Sequence, residues 1–158
     1  MESTANSRGP QFPQREPASN RGRPHQARYT LLFKMTLTVR ELDGLSLAID
    51  RIHDRWFDLD AIIHDPATRE VRIPFWSEPT RKAPINRETG EPEPFDQLLV
   101  IHDADEPAVE DQEHIGTYSF NDIRFSNQQV VIRAEPNLRI KCTVKHLYIE
   151  VGPVHDGS

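Results

Sequence analysis

Histidine stands next to aspartate at four places in the chain, and both residue types can supply ligands to a catalytic metal. The tripeptide Ile-His-Asp occurs at 52–54, 63–65 and 101–103, and Val-His-Asp follows at 154–156. Imidazole nitrogens and carboxylate oxygens are the ligands that zinc and related metals use in hydrolytic sites. The chemistry that these pairs suggest is therefore metal-assisted hydrolysis.

Two of the pairs are the best candidates for a shared metal site. His64, Asp65, His102 and Asp103 lie where predicted strands end, and His114 supplies a further imidazole. If the two strands are neighbours that run in the same direction, the histidine rings approach one another and the carboxylates complete a ligand set. However, the chain has no close His-x-His, His-x-x-x-His or Cys-x-x-Cys spacing to preorganise such a site.

A structural explanation accounts for the same triplets. At 63–65 and 101–103, isoleucine takes the last core position of a strand, histidine is half-buried, and aspartate begins a polar turn. The triplet at 52–54 is predicted to be helical, so its geometry differs from that of the other two. Because strand ends and turns favour these residue types, we favour the structural interpretation over a metal site.

Residues 103–114 form an acidic segment with six carboxylates and neither lysine nor arginine. Asp105 and Asp111 match two positions of a calcium-binding EF-hand loop. However, Ala108 replaces the glycine of that loop, and His114 replaces its final glutamate. The segment is instead predicted to be a solvated loop whose charge discourages pairing between strand edges.

Cys142 is the single cysteine of the chain. Because it alternates with Ile140 and Val144 along a predicted strand, it is expected on the apolar face, where cysteine acts as a small hydrophobic residue. The sequence also lacks a nucleophile elbow, a phosphate-binding loop and a dinucleotide fingerprint. It therefore offers no recognisable catalytic constellation.

A single amphipathic helix is predicted at 38–57. Its apolar side chains recur at spacings of three and four residues, which places them on one face of a helix. Thr38 with Glu41 has the form of a capping box at its start. The apolar stripe consists of Leu42, Leu45, Ile49, Ile52 and Trp56.

After this helix the apolar period changes to two, which predicts strands. A hairpin joins 59–64 to 69–76, and Pro74 indicates that the second of these strands lies at a sheet edge. Residues 77–95 are predicted to be a proline-rich loop. Further strands are predicted at 97–102, 117–125, 128–133, 138–144 and 147–151.

These elements predict an α+β fold, in which one N-terminal amphipathic helix packs on a mostly antiparallel sheet of six to seven strands. The alternative is a mainly-β roll or small barrel with one helix. We place this single domain at 35–152, followed by a flexible C-terminus at 153–158. Residues 1–34 are predicted to be a disordered basic tail, upstream of the true start if translation begins at Met35.

Charge separates the tail from the domain. Residues 1–28 carry five arginines and two carboxylates, so the tail is near +3 and the remainder near −9 in a chain of net charge −6. The acidic body argues against nucleic acid as a partner. No apolar run is long enough to span a membrane. The lone cysteine fits a reducing compartment, and the cytoplasm is the expected location.

Taken together, these features favour a small non-enzymatic module that binds a protein partner or associates with itself, and that needs no cofactor. The proline-rich loop, the acidic segment and the basic tail are typical of interaction proteins. Metal-dependent hydrolysis through the His-Asp pairs is the competing hypothesis.

Removing the tail tests the predicted domain boundary. A chain that begins at Met35 is expected to keep its free energy of unfolding within about 0.5 kcal/mol, because the removed residues are predicted to bury nothing. Chemical denaturation of the two chains measures the difference. A clear loss of stability on truncation would show that residues before Met35 dock on the domain.

Overall fold

The computed structural model describes residues 33–79 and 84–154. The predicted tail lies outside these ranges up to residue 32, as do the last four residues of the predicted C-terminal segment. Contacts within the chain group residues 35–158 into one unit, separate from residues 1–34. The strands and the α-helix all belong to the larger unit.

Ten strands form one antiparallel sheet within the described ranges. Their bounds are β1 Leu37–Val39, β2 Trp56–Asp58, β3 Ile63–Asp65, β4 Glu70–Phe75, β5 Gln97–Ile101, β6 Ala108–Asp111, β7 Thr117–Ser126, β8 Gln129–Glu135, β9 Leu138–Thr143 and β10 Ile149–Pro153. The order across the sheet is β1-β10-β5-β4-β2-β7-β8-β9-β6, and β3 pairs with β4 off this path.

The fold is therefore dominated by its sheet. The prediction of six to seven strands is wrong, and the mainly-β alternative describes the protein better, although the sheet does not close into a barrel. The strands that the prediction missed are short: β1 and β2 each have three residues and β6 has four. Such short segments show little periodicity of their own and depend on the strands beside them.

The observed helix is much shorter than the one predicted at 38–57. The described ranges contain one α-helix, α1, at Leu45–Ile52. Residues on both sides of it join the sheet instead, because Thr38 pairs with β10 and Trp56 pairs with β7. Leu42 lies in a 3₁₀ turn and is 61% exposed, so it is not part of a buried stripe. Strand pairing here overrides the helical pattern.

The buried face of α1 holds it to the sheet. Leu45, Ala48 and Ile52 are buried, and Ile52 is fully enclosed. A helix of eight residues is not stable in isolation, so this packing is what maintains it. The helix ends at the first Ile-His-Asp triplet, where Asp54 adopts a left-handed φ of 65° and donates its backbone N–H to Phe120 at 2.9 Å.

The predicted alternation of the C-terminal strands is confirmed. In β9, Leu138, Ile140 and Cys142 are buried in the core. Arg139 and Thr143 on the other face are exposed. Both Val144 and Leu147 are also buried, and the chain bends at 145–146 between them.

Strand β4 lies inside the sheet, so the edge position predicted from Pro74 is wrong for the strand as a whole. On one side β4 pairs along its length with β5. On the other side it pairs with β3 as far as Arg72 and with β2 at Phe75. Pro74 falls between these two partners, where no strand needs the N–H that proline lacks.

The acidic segment is not simply a loop, because it contains β6. This strand pairs with β9 and ends the sheet, so one of its edges has no strand beside it. The segment that was predicted to discourage pairing between strand edges is therefore itself an edge strand. Within the described residues, no helix has the length and apolar character needed to cross a membrane.

The core assignment predicts the effect of two substitutions on one strand. Ile140→Ala should lower the free energy of unfolding by about 2–5 kcal/mol, because it removes fully buried methyl groups and leaves a cavity. Thr143→Ala, on the exposed face of β9, should change it by less than about 0.5 kcal/mol. Urea denaturation of both variants gives the comparison, and a larger loss from Thr143→Ala would reverse the assigned faces.

Candidate functional site

His102 is the centre of a charged network on the outer face of the sheet. Val71 pairs with Ile101 on the core face, which brings Glu70 and His102 together on the other face. The Nε2 atom of His102 lies 2.6 Å from a carboxylate oxygen of Glu150 on β10. Its Nδ1 atom lies 3.3 Å from a carboxylate oxygen of Glu70 on β4. The ring thus links three adjacent strands.

Two further contacts fix the ring of His102. It stacks on Tyr148 with 3.9 Å between ring centroids, and the guanidinium of Arg40 lies 3.9 Å above the centroid of the same tyrosine ring. Arg72 donates to Glu70 from Nε and Nη2, at 3.1 and 2.8 Å. Glu70 therefore lies between the guanidinium of Arg72 and the ring of His102, which favours a structural role for the network.

The saturation of His102 limits its chemistry. Both ring nitrogens face carboxylates, so each is already directed at a partner within the protein and not at a metal or a substrate. In the described ranges, no group of three or more histidine, cysteine, aspartate or glutamate side chains is arranged to hold a metal ion.

The structure does not bring His64 and His102 together. β3, which contains His64, and β5, which ends just before His102, do run in the same direction, because both are antiparallel to β4. However, β4 lies between them. His64 pairs with Val71 on the core face, whereas His102 lies on the outer face. The Nε2 atom of His64 is 3.2 Å from the carbonyl oxygen of Ala104.

The remaining candidate ligands have separate local roles. Asp65 accepts the backbone N–H of Ala67 at 3.0 Å, and this bond lowers the pKa of its carboxyl group. Asp103 has a left-handed φ of 53°, and its carbonyl oxygen accepts the N–H of Lys145. His114 is largely exposed beside Asp111. The side chain of Asp65 thus bonds the turn that follows it, whereas the bond at Asp103 involves only its backbone.

The three triplets that the structure describes differ from one another. Residues 63–65 are the whole of β3, and Ile63 is exposed, so it is not the core residue that the sequence suggested. At 101–103 the strand ends at Ile101, one residue earlier than predicted, and Ile101 is its last core residue, as the sequence indicated. At 52–54 the helix ends at Ile52, one residue before His53. The fourth pair extends to residues 155–156, outside the described ranges.

Cys142 lies on β9 opposite Val130 of β8 and is enclosed in the core. Burial disfavours its charged form and raises the pKa of the thiol to about 12. At neutral pH it is therefore protonated and inaccessible, which is the opposite of what a nucleophilic cysteine requires.

Tyr118 anchors the end of the acidic segment. Its side chain is buried, and its hydroxyl donates to the carboxylate of Asp111 while accepting the N–H of Ile115 at 3.1 Å. The bond from Tyr118 lowers the pKa of Asp111. Burial, followed by this bond, raises the pKa of Tyr118. The contact fixes β6 where it leaves the sheet.

A groove of about 650 Å³ lies between β3 and β6, and we call it the seam. Its lining includes Ile62, His64 and Pro66 on the β3 side, and Glu106, Pro107 and Val109 on the β6 side. Each of these strands has one neighbour in the described sheet, β4 for β3 and β9 for β6. Two unpaired strand edges therefore border the seam.

The direction of the backbone groups of β6 follows from its neighbours. Gln112 donates to the carbonyl of Asn137, and hydrogen-bonded pairs alternate along an antiparallel ladder. The pairs that exchange bonds are thus Glu110 with Arg139 and Ala108 with Lys141. The N–H and C=O of Val109 point away from β9, towards the free edge. Its side chain lies on the core side but is 43% exposed.

Sequence reasoning identified His102 but missed its partners. Glu70 on β4 is far along the chain from Glu150 on β10 and from Tyr148 just before it, and only the register brings them together. The outward positions of Glu70 and Glu150 in alternating strands were a usable signal, because carboxylates on two strands can both reach one histidine between them.

Comparison with known proteins gives no functional assignment. No protein-family model matches the chain, and no curated protein matches it. A crystal structure of an uncharacterized protein from Neisseria gonorrhoeae resembles it with a TM-score of 0.36 and 10% sequence identity, covering 76% of this chain and 99% of that one. This degree of similarity supports no conclusion about fold or function.

The His102 network predicts a loss of stability on substitution that does not depend on a metal ion. His102→Gln should lower the free energy of unfolding by about 1–2 kcal/mol, because glutamine cannot bridge both carboxylates, and partial exposure moderates the loss. His114→Gln, at an exposed histidine, is the control and should change it by less than about 0.5 kcal/mol. A chelator should leave the melting curve of the unmodified protein unchanged. A fall with chelator that His102→Gln abolishes would identify a metal instead.

Proposed function

We propose that this protein is a non-enzymatic interaction module that binds an extended segment of a partner protein at the seam. The free edge of β6 beside an apolar groove is the observation that carries this proposal. An unpaired edge presents backbone donors and acceptors that an added strand can satisfy, which is how several peptide-binding domains work. The apolar lining accepts alternate side chains of such a strand.

Charge selects the kind of partner. The acidic segment at 103–114 has six carboxylates without a basic residue, and Glu106 lies in the seam itself. Some of this charge is already paired, since Asp105 meets Arg69 at 3.0 Å and Glu110 meets Lys141 at 2.8 Å. The exposed carboxylate of Glu106 has no such pair within the described residues. We therefore expect a basic strand that alternates apolar and cationic side chains.

The chemistry of the other candidate groups supports a binding role over catalysis. His102 is saturated by carboxylates, Cys142 is buried and protonated, and the candidate metal ligands lie apart. The carboxylates that surround the seam favour association with a cation-bearing chain and provide no activated nucleophile. An edge strand flanked by acidic residues also resists random pairing, because only a complementary strand overcomes the repulsion.

Synthetic peptides test this proposal. A peptide of alternating apolar and basic residues should bind, whereas a peptide with acidic residues in place of the basic ones should not, as measured by fluorescence anisotropy. Val109→Pro removes an outward N–H but leaves the bonds from Ala108 and Glu110 to β9. It should weaken binding about tenfold or more. Val109→Thr keeps the N–H and β-branching, and its affinity should stay within about threefold.

A second variant covers the case in which Val109→Pro disturbs folding. Glu106→Lys reverses an exposed charge in the seam and should weaken the basic peptide while improving the acidic one. Equal binding of the two peptides, or unchanged binding by both weakening variants, would contradict the proposal. If the free protein is a dimer that Val109→Pro dissociates, the edge is occupied by a second copy, and the proposed partner is wrong.

A further inference from the structure

A second cavity, of about 360 Å³, lies on the outer face of the sheet near the turn between β8 and β9. It shares no lining residue with the seam. Two arginines, Arg133 and Arg139, line it together with the amide side chains of Gln112, Asn121 and Asn137. This volume lies near the lower end of the range for small-molecule sites.

The two arginines are direct cross-strand partners. Arg133 on β8 pairs with Arg139 on β9, so their side chains leave the same face side by side. Like charges directly opposite one another destabilise a sheet. Arg133 has a counter-ion in Asp122, with 3.3 Å between Nε and Oδ1. Arg139 lies opposite Glu110 of β6 but forms no direct ion pair with any described residue, so no carboxylate holds its guanidinium group.

Local backbone irregularities aim the amide groups at this cavity. The register between β7 and β8 shifts between Phe120 and Asp122, which leaves Asn121 outside the ladder. Bulges of this kind redirect side chains and are common beside functional sites. On the opposite side, Asn137 occupies the β8–β9 turn with a left-handed φ of 54°. Two departures from regular strand geometry thus converge on one polar cavity.

The carboxylates that line the cavity indicate which chemical groups the ligand has besides its anionic group. Glu110 and Glu135 also line the cavity. Glu110 is drawn towards Lys141, at 2.8 Å from its Nζ atom, and Glu135 follows Arg133 along β8. A bare anion would meet these acceptors unfavourably. A molecule that combines one anionic group with several hydroxyl groups would bond to the arginines and the acceptors together.

We propose that this cavity binds a small polyhydroxylated acid, with its phosphate or carboxylate group held between Arg133 and Arg139. Planar guanidinium groups match both anions through paired hydrogen bonds. The amides of Asn121, Asn137 and Gln112, with the two glutamates, bond to the hydroxyl groups. The inference is independent of the proposed peptide binding, because the two sites have separate linings.

Titration calorimetry with four probes tests the site: a ribose phosphate, gluconate, inorganic phosphate and glucose. The ribose phosphate and gluconate should bind more tightly than inorganic phosphate, and uncharged glucose should not bind. Arg139→Gln should weaken the ribose phosphate about tenfold or more, whereas Arg124→Gln should leave its affinity unchanged. Arg124 is the matched control, since it is an exposed arginine on the same face that does not line the cavity.

The proposal is overturned if neither acid binds at millimolar concentration. It is also overturned if glucose binds as well as the acids, or if the two arginine variants weaken binding equally, which would indicate a general effect of charge.

Discussion

The division of the sheet at β4 is the constraint on which the rest of the structure depends. One side of β4 is fully paired with β5, while the other is shared between β3 and β2. Pro74 lies between the residues of β4 that pair with β3 and the residue that pairs with β2, so no strand there requires the N–H group that proline lacks. β3 therefore pairs only with β4, off the main order of the sheet, and keeps a free edge. The seam lies between β3 and the edge strand β6.

The two faces of the sheet have different tasks. The inner face packs α1 and the aromatic rings of Phe57, Phe75 and Phe120, with 4.3 Å between the centroids of the first and last. The outer face carries charge in networks that connect neighbouring strands, of which the His102 network is the most enclosed. Such networks fix the alignment of neighbouring strands. Their hydrogen bonds also occupy the polar groups that a catalytic site would use. What remains open is the strand edge at the seam and the polar cavity lined by Arg133 and Arg139.

The sequence predicted the longer strands well and the short elements poorly. The alternation in β9 and β10 persists for five or six residues, so both faces were recognisable. Three-residue strands such as β1 and β2 carry no such signal, because their pairing is decided by distant partners. The role of His102 was missed for the same reason, because it too depends on pairing between distant strands. His102 was selected by its residue type, but its role depends on Glu70 and Glu150, which only the register places beside it.

Residue-resolved hydrogen exchange at β6 tests the central claim of a free edge most directly. In dilute solution the amide of Val109, which points away from β9, should exchange rapidly. The amides of Ala108 and Glu110, which donate to β9, should be protected. Protection of Val109 equal to that of Glu110 would contradict the account, because the edge would already be covered in the free protein.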